Sequence, residues 1–591
     1  MDNERFYEQT IINDQNHDIF VKDILLYELN SLEEEKLNPE NCRLFRTGRY
    51  KNDMPSVCTF GLFDDSMKDC ISAVKESGDG KESFGGNIII SDHLTILGND
   101  SDALFIAFMS GNEQLFRTEI QVDDSGKFIS LKVFVEFRCF FKPGEARTTE
   151  KLMVKHTDNV TAEIKKWATL RAKPKRRNNP PAVFCTWYYY GKTVTYEDVS
   201  VNLQKIREKN LPFDVFQIDD GWETTLGEWT PNSKFPESMK AVCDEIKSAG
   251  LIPGIWTGPF VAHETASIWK SHPDWILKDN DNNPVLFPMN EGVYFIIDIS
   301  IEETWKYFEK LYRKLTFEWG YTYHKIDFTR APVIAENACF SNKYLTAAQC
   351  YRKAVEAIRK GMGEDSFMLM CGGLYDPVIG IVDAQRAGSD VLSMWSSNIN
   401  RNGKTLPYTI KQSLLRYYMN NWWFNDPDAL MIRKNETMER NLRLTYGLLN
   451  DEEVKTSVLN QLTGGGLMCS TEPLDKIDDE RLSNLKHILP IRPLETQTVD
   501  IMNIGRFPDK IRLKEISNED AAYLVIINWS DDESIYPTVS VKEIAGDFFN
   551  LDDSVEYSVK DFYGKKVYTK LDINSKITLS EIKPHASTIL K

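Results

Sequence analysis

Hydrophobic and polar positions follow three successive textures along the chain. Up to residue 165, short runs alternate apolar and polar side chains between Gly, Asn and Asp clusters. Gly85–Asp92, Ala103–Met109 and Ile129–Arg138 are of this kind. A period of two cut by turn residues predicts antiparallel strands, and a succession of them predicts a β-sandwich. From 182 to 490, short apolar runs instead alternate with stretches of helical period, the βαβα signature of a parallel sheet. The strand candidates are Ala182–Trp187, Phe213–Asp219, Ile252–Thr257, Tyr323–Asp327, Phe367–Cys371, Asp383–Ser389, Asn420–Phe424 and Gly464–Cys469. Helical patterns cover Tyr196–Lys209, Pro236–Ala249, Ile301–Phe317 and Thr346–Gly361. Eight strands with intervening helices predict one (β/α)8 barrel.

The stretch 260–320 is longer than a simple βα loop and predicts an insertion over the barrel mouth. From 497 to 591 the texture is β again, with Tyr523–Trp529 and Ser575–Leu579 as strands of a small antiparallel domain. The basic, proline-containing run Arg171–Pro181 reads as a connector. The expected fold is therefore α/β: a central (β/α)8 TIM barrel (182–490) with an N-terminal β-sandwich (1–165) and a small C-terminal β-sandwich (497–591). A linker is expected over 166–181.

Composition narrows the partners. The net charge is −17 over 591 residues, which argues against nucleic acid and anionic membrane surfaces. Aromatic residues reach 12%, with 13 Trp, which suits stacking on sugar rings and equally suits β-rich cores. The 10 cysteines are scattered without CxxC or zinc-like spacing. The first residues lack a basic and apolar leader pattern, and no apolar run reaches the roughly 18 residues that span a bilayer. The expectation is a cytoplasmic protein with reduced thiols.

Acidic and basic residues gather at the ends of the strand candidates, where barrel enzymes build their sites. In Tyr323–Asp327, alternation puts Tyr323, Lys325 and Asp327 on one face and His324 and Ile326 on the other. Lys and Asp are rarely buried unless paired, so they read as a nucleophile with a supporting ammonium or as a structural ion pair. Arg386 and Asp390 share strand parity, and Asp390 reads as a general acid or as a loop carboxylate paired with the arginine. Asp219 and Asp220 repel each other unless a ligand or cation holds them; sugar hydroxyls suit them, as does a turn. Trp187 and Trp256 read as a stacking wall or as core. Cys371-Gly372-Gly373 and Asn425-Asp-Pro-Asp428 are weaker signals. Two carboxylates in an aromatic-lined polar site are the equipment for breaking a glycosidic bond.

Phe216-Gln-Ile-Asp-Asp-Gly-Trp222, His272-Pro-Asp-Trp275, Lys325-Ile-Asp327, Arg386 to Asp390 and Asn425-Asp-Pro-Asp428 occur in the order seen in the α-galactosidase clan. Over about 182–490 the chain resembles glycoside hydrolase family 36, the melibiase-like enzymes, and the Asn-Asp-Pro-Asp turn is similar to sister family 27. The resemblance implies Asp327 as nucleophile and Asp390 as acid/base of a retaining α-galactosidase, with the carboxyl groups about 5–5.5 Å apart. It implies Asp219 and Asp220 on the 4- and 6-hydroxyls of galactose, and Lys325 and Arg386 touching the sugar or orienting carboxylates. Trp187 and Trp256 would wall the site, with Cys371 and Gly373 in a sugar-binding segment.

No metal or organic cofactor is implied, and the partner is a carbohydrate. α-N-Acetylgalactosaminide hydrolysis and raffinose-synthase-type transfer use the same chemistry and stay open. The resemblance also allows a homo-oligomer whose N-terminal β domain reaches a neighbour's site. Departures lie at Lys-Ile-Asp-Phe-Thr329, where the family usually has Lys-Trp-Asp-Met-Asn, at the shortened Gly372-Gly373, and in the Val-Leu-Ser-Met after Asp390.

Overall fold

The computed structural model of the chain describes residues 4–75, 87–173, 177–289, 292–335, 337–396, 405–433, 449–488, 492–516, 521–562 and 565–591. The glycines at 85–86 and the connector residues 174–176 lie outside them.

The N-terminal region folds as two antiparallel sheets of six and four strands. Strand alternation divides the six-stranded sheet between two cores. Leu44, Leu104 and Ile106 point into the sandwich, where they meet Ile120 and Val133 of the other sheet. Phe45, Phe105 and Ala107 point the opposite way, into a core continuous with the barrel. A sheet buried on both faces has little room for polar residues, which is why Ala103–Met109 is so nearly apolar.

Helix Val160–Arg171 begins at an Asn159 cap and runs through the first part of the expected linker. Its Trp167 is fully buried and donates to the Phe108 carbonyl at 2.9 Å, while Trp422 of the barrel donates to the Ala168 carbonyl at 2.9 Å. Residues 166–171 are thus a packed helix between sheet and barrel, not a connector. Arg171, which the sequence reading gave to the basic run, is the last residue of that helix.

The central sheet is parallel. Its strands are β1 (Ala182–Cys185), β2 (Val215–Ile218), β3 (Ile252–Thr257), β4 (Tyr323–Asp327), β5 (Phe367–Cys371), β6 (Ala384–Arg386), β7 (Phe424–Asp426), β8 (Ala429–Leu430) and β9 (Met468–Ser470). Their order is β7-β6-β5-β4-β3-β2-β1-β9-β8. β7 and β8 are two halves of the seventh barrel position. β7 pairs with β6 and β8 with β9, so the eight predicted positions give nine strands. Pro427 lacks an amide hydrogen and Asp428 has φ +73°, so the ladder breaks between the halves.

The seventh candidate, Asn420–Phe424, is displaced. Tyr417–Asn421 forms a 3-10 turn, because the Asn420 side chain accepts from the Asn425 amide (3.0 Å) and donates to the Gly464 carbonyl (2.7 Å). The strand therefore starts only at Phe424.

The predicted helices appear at Tyr196–Glu208, Met239–Ser248, Glu302–Arg313 and Ala347–Met362. Thr195 with Asp198 and Thr346 with Gln349 form reciprocal capping boxes at two of them. Within 260–320, Val261–His263 pairs with Tyr294–Ile296, and the intervening segment brings Phe287 to 5.3 Å from the Phe328 ring beside β4. The C-terminal region is a six-stranded antiparallel sheet with an added two-stranded pair. Among the described residues no helix is long and apolar enough to cross a membrane.

Candidate active site

One cleft at the C-terminal ends of the barrel strands is lined by Trp187, Tyr188, Asp219, Asp220, Trp256, Lys325, Asp327, Phe328, Cys371, Arg386 and Asp390. The strands that supply them are separated by helices in sequence and adjacent in the sheet, so parallel pairing alone carries their side chains to one rim.

On β4, the alternation holds. His324 turns outward to Thr316 (2.9 Å) and to the Tyr312 ring on the helix layer, and burial pulls its imidazole down to about 3. Lys325 and Asp327 turn to the cleft. Phe328 follows with φ +56°, an uncommon backbone state for a bulky residue. That turn aims its amide back at Asp327 Oδ1 (2.7 Å). Trp256 Nε1 approaches Asp327 Oδ2 at 3.5 Å.

Lys325 Nζ makes its hydrogen bond to Asp219 Oδ2 at 2.8 Å. Burial pulls against the charged form, but the Asp219 carboxylate outweighs it and holds the ammonium well above its ordinary value. Asp219 Oδ2 also accepts from Cys185 Sγ (3.2 Å) and Gln217 Nε2 (2.5 Å). Its neighbour differs: burial and the Glu223 carboxylate push Asp220 well above the usual carboxylate range, with Lys192 Nζ 3.9 Å away on the other side. The adjacent aspartates are thus chemically distinct, one held by a cation and one held with a second carboxyl.

Arg386 is buried and reaches three carboxylates. Nε donates to Asp426 (2.8 Å), Nη1 to Asp390 Oδ1 (3.2 Å), and Nη2 lies 3.0 Å from Asp428. Asp428 Oδ2 accepts from the Val391 amide at 2.8 Å, fixing the backbone next to Asp390, and Tyr188 Oη joins the same contact. Burial pushes the Cys371 thiol up to about 12, which makes it a neutral packing group that accepts from Lys51 Nζ at 3.3 Å, not a nucleophile.

Gly373 is the exception among the sequence candidates, for it is not part of the cleft lining. A Cβ there would meet Tyr351 Oη at 2.5 Å. It is Gly372 (φ +80°) that faces the site, 3.4 Å from Asp327 Oδ1 at the equivalent position.

The sequence reading missed Lys51, Tyr188 and Glu223 as contributors. Lys51 comes from the N-terminal region, 339 residues from Asp390, and its Nζ donates to Asp390 Oδ1 at 2.8 Å. No local pattern signals it. Glu223 was visible three residues after Asp220. Asp426 and Asp428 were seen, but as a turn rather than as Arg386 partners.

Asp92, His93 and Asp376 are the one group among the described residues close enough to share a metal ion. Arg49 holds Asp92, and Arg171 with His93 holds Asp376. Two arginines already satisfy those carboxylates, so the group fits an interior ion network rather than a cation site. A cleft of about 310 Å3 between Met109–Asn112, Arg171, Arg352 and Asp376 lies apart from the paired carboxylates and contains a single acid.

The Melibiase family model matches residues 146–363. An α-galactosidase of Escherichia coli is 30% identical over 137 residues, 22% of this chain and 19% of that protein. Alpha-galactosidase C of Emericella nidulans is 27% identical over 161 residues, 23% of this chain and 21% of that protein. The aligned stretch thus spans about a fifth of the length of these curated relatives.

Among solved structures, an α-galactosidase from Thermus thermophilus in complex with p-nitrophenyl α-D-galactopyranoside has a TM-score of 0.62 at 21% identity, covering 86% of this chain and 95% of that one. The GH36 α-galactosidase AgaA from Geobacillus stearothermophilus has a TM-score of 0.64 at 13% identity, covering 98% and 78%. These structural likenesses establish the fold. The family model and the curated relatives make this chain similar to the melibiase-like α-galactosidases over part of its length.

Proposed function

We propose that the protein is a retaining α-galactosidase, with Asp327 as nucleophile and Asp390 as acid/base. The observation that carries this reading is the pairing of two differently held carboxylates in one aromatic-lined cleft. Asp327 is aimed by its neighbour's amide and Trp256, and Asp390 is held by two cations.

In the first step Asp327 attacks the anomeric carbon while protonated Asp390 gives its proton to the glycosidic oxygen. The C–O bond breaks and a β-glycosyl ester forms. In the second step Asp390, now a carboxylate, takes a proton from water, whose oxygen attacks the same carbon and releases Asp327. Asp219 and Asp220 accept from sugar hydroxyls, Trp187 and Trp256 form apolar walls, and Arg386 orients Asp390. The similarity to α-galactosidases supports galactose as the glycone. The free cysteines fit a reducing, cytoplasmic setting, and an N-terminal β region, a barrel over 182–490 and a C-terminal β region over 497–591 stand as a proposed domain plan, with the Val160–Arg171 helix packed between the first two.

The test is initial rates on 4-nitrophenyl α-galactoside and α-N-acetylgalactosaminide, wild type beside Asp327→Ala, with the product anomer followed by NMR. Turnover of the galactoside to the α-anomer, reduced about 10³-fold or more in the variant, is expected. A β-anomer product overturns the retaining assignment. A preference for the acetamido sugar replaces the glycone and keeps the mechanism.

A further inference from the structure

We propose that Lys51, carried by the N-terminal β region of the same chain, is the positioning residue of Asp390, gripping Oδ1 beside Arg386 and holding the carboxyl in place for proton transfer. The inference rests on the glycosidase reading above.

The geometry is specific. Lys51 Nζ lies 2.8 Å from Asp390 Oδ1 and 3.3 Å from Cys371 Sγ, and Arg386 Nη1 reaches the same Oδ1 at 3.2 Å. Two cations on one oxygen fix the orientation of the carboxyl and favour its ionised form. Lys51 is only 4% exposed, whereas the Asp390 side chain is 33% exposed at the cleft. The ammonium is enclosed, and the carboxyl that it holds lines the cleft.

The loop bearing Lys51 is itself fixed to the barrel. Buried Arg416 donates to the carbonyls of Tyr50 (3.1 Å), Lys51 (3.3 Å) and Asp53, and to that of Ala387 (2.6 Å), next to Arg386. The Tyr375 amide donates to the Arg49 carbonyl at 3.0 Å. One guanidinium thus locks the donor loop of Lys51 to the strand end that carries Asp390. A structural pair needs no such alignment with the reacting carboxyl.

The charged and titratable groups around Asp390 are Lys51 from the N-terminal loop, Arg386 from β6, and Asp426 and Asp428 from the β7–β8 break. Tyr188 follows β1, Cys371 ends β5, and Asp327 and Lys325 end β4. Burial pulls Lys51 toward its neutral form, but the Asp390 and Asp327 carboxylates outweigh it and hold the ammonium charged. The cation therefore favours the carboxylate form of Asp390, the form that activates water in the second step. The same cation limits how far up the pH scale Asp390 keeps the proton needed in the first.

Lys51→Met removes the charge and keeps the volume. The alkaline limb of the kcat/KM profile should move up by about 1–3 pH units, with turnover near neutral pH falling about 10–100-fold through lost orientation. Lys51→Arg should keep the limb near its wild-type position. An unmoved limb with only KM raised overturns the proposal and makes Lys51 a sugar ligand.

Thermal unfolding of wild type, Lys51→Met, Asp390→Asn and the double variant reads the pair without turnover. Lys51→Met should lower Tm clearly in the wild-type background and little in the Asp390→Asn background, and equal losses in both overturn the pairing. Absence of wild-type turnover defeats the glycosidase reading, while the unfolding cycle still decides the contact.

Discussion

At the scale of single residues, the surroundings of Gly372, Gly373 and Asp220 are unusually exacting. Gly372 occupies φ +80°, and a Cβ there would lie 2.6 Å from Arg330 Nη1 and 3.4 Å from Asp327 Oδ1. Gly372→Ala therefore strains the backbone and displaces groups against the nucleophile candidate. We expect at least a roughly 10-fold loss of kcat/KM with modest loss of Tm, since small displacements at a reacting centre are costly. Gly373→Ala meets Tyr351 Oη outside the cleft and should lower Tm more than it lowers activity at the folded fraction.

Asp220 gives a pH prediction. Burial and Glu223 raise its folded pKa above the unfolded value, so the stability it contributes is present at low pH and is lost as pH rises toward the folded pKa. Asp220→Asn removes that loss. Its Tm gain should be larger at about pH 8 than at about pH 4, while activity falls if the proposed sugar contact is made by this residue. A gain of equal size at both pH values contradicts the shared-carboxyl reading.

Among elements, helix Val160–Arg171 matters most to how the sheet meets the barrel. Trp167 is fully buried and sits 5.6 Å from the Trp422 ring and 6.1 Å from Phe105, so it belongs to both layers. Trp167→Ala opens a cavity and strands the Phe108 carbonyl, a loss of about 3–5 kcal/mol. Chemical denaturation should show it, and a loss below about 1 kcal/mol would mean that the two layers are not coupled through this helix. The basic run misled the sequence reading here because helix and connector were divided by composition, while the buried positions of the helix are set by two partners distant in sequence. The seventh strand shows the same limit. Its apolar residues were legible, but the start was moved by Asn420 side-chain bonds that only the fold creates. β3, β4 and β5 were legible to the residue, because each is a compact apolar run ending in polar side chains.

Across the whole molecule, three regions act as one frame for the cleft. The six-stranded sheet shares a continuous core with the barrel, and Arg43 of that sheet donates to the Met502 and Ile504 carbonyls of the C-terminal region. The resemblance allowed the N-terminal region to reach a neighbour's site; in this fold Lys51 reaches the site of its own chain. The sequence by itself determined the α/β architecture and, to the residue, β3, β4 and β5, and it marked candidates at the strand ends. Hydrophobic period and strand-end chemistry are local, and parallel pairing brings strand ends together without further instruction. Tertiary structure alone decided which charge meets which. It gave Lys325 to Asp219, Glu223 to Asp220, and Lys51 to Asp390, because a side chain's partner depends on distances across the fold that no spacing along the chain encodes.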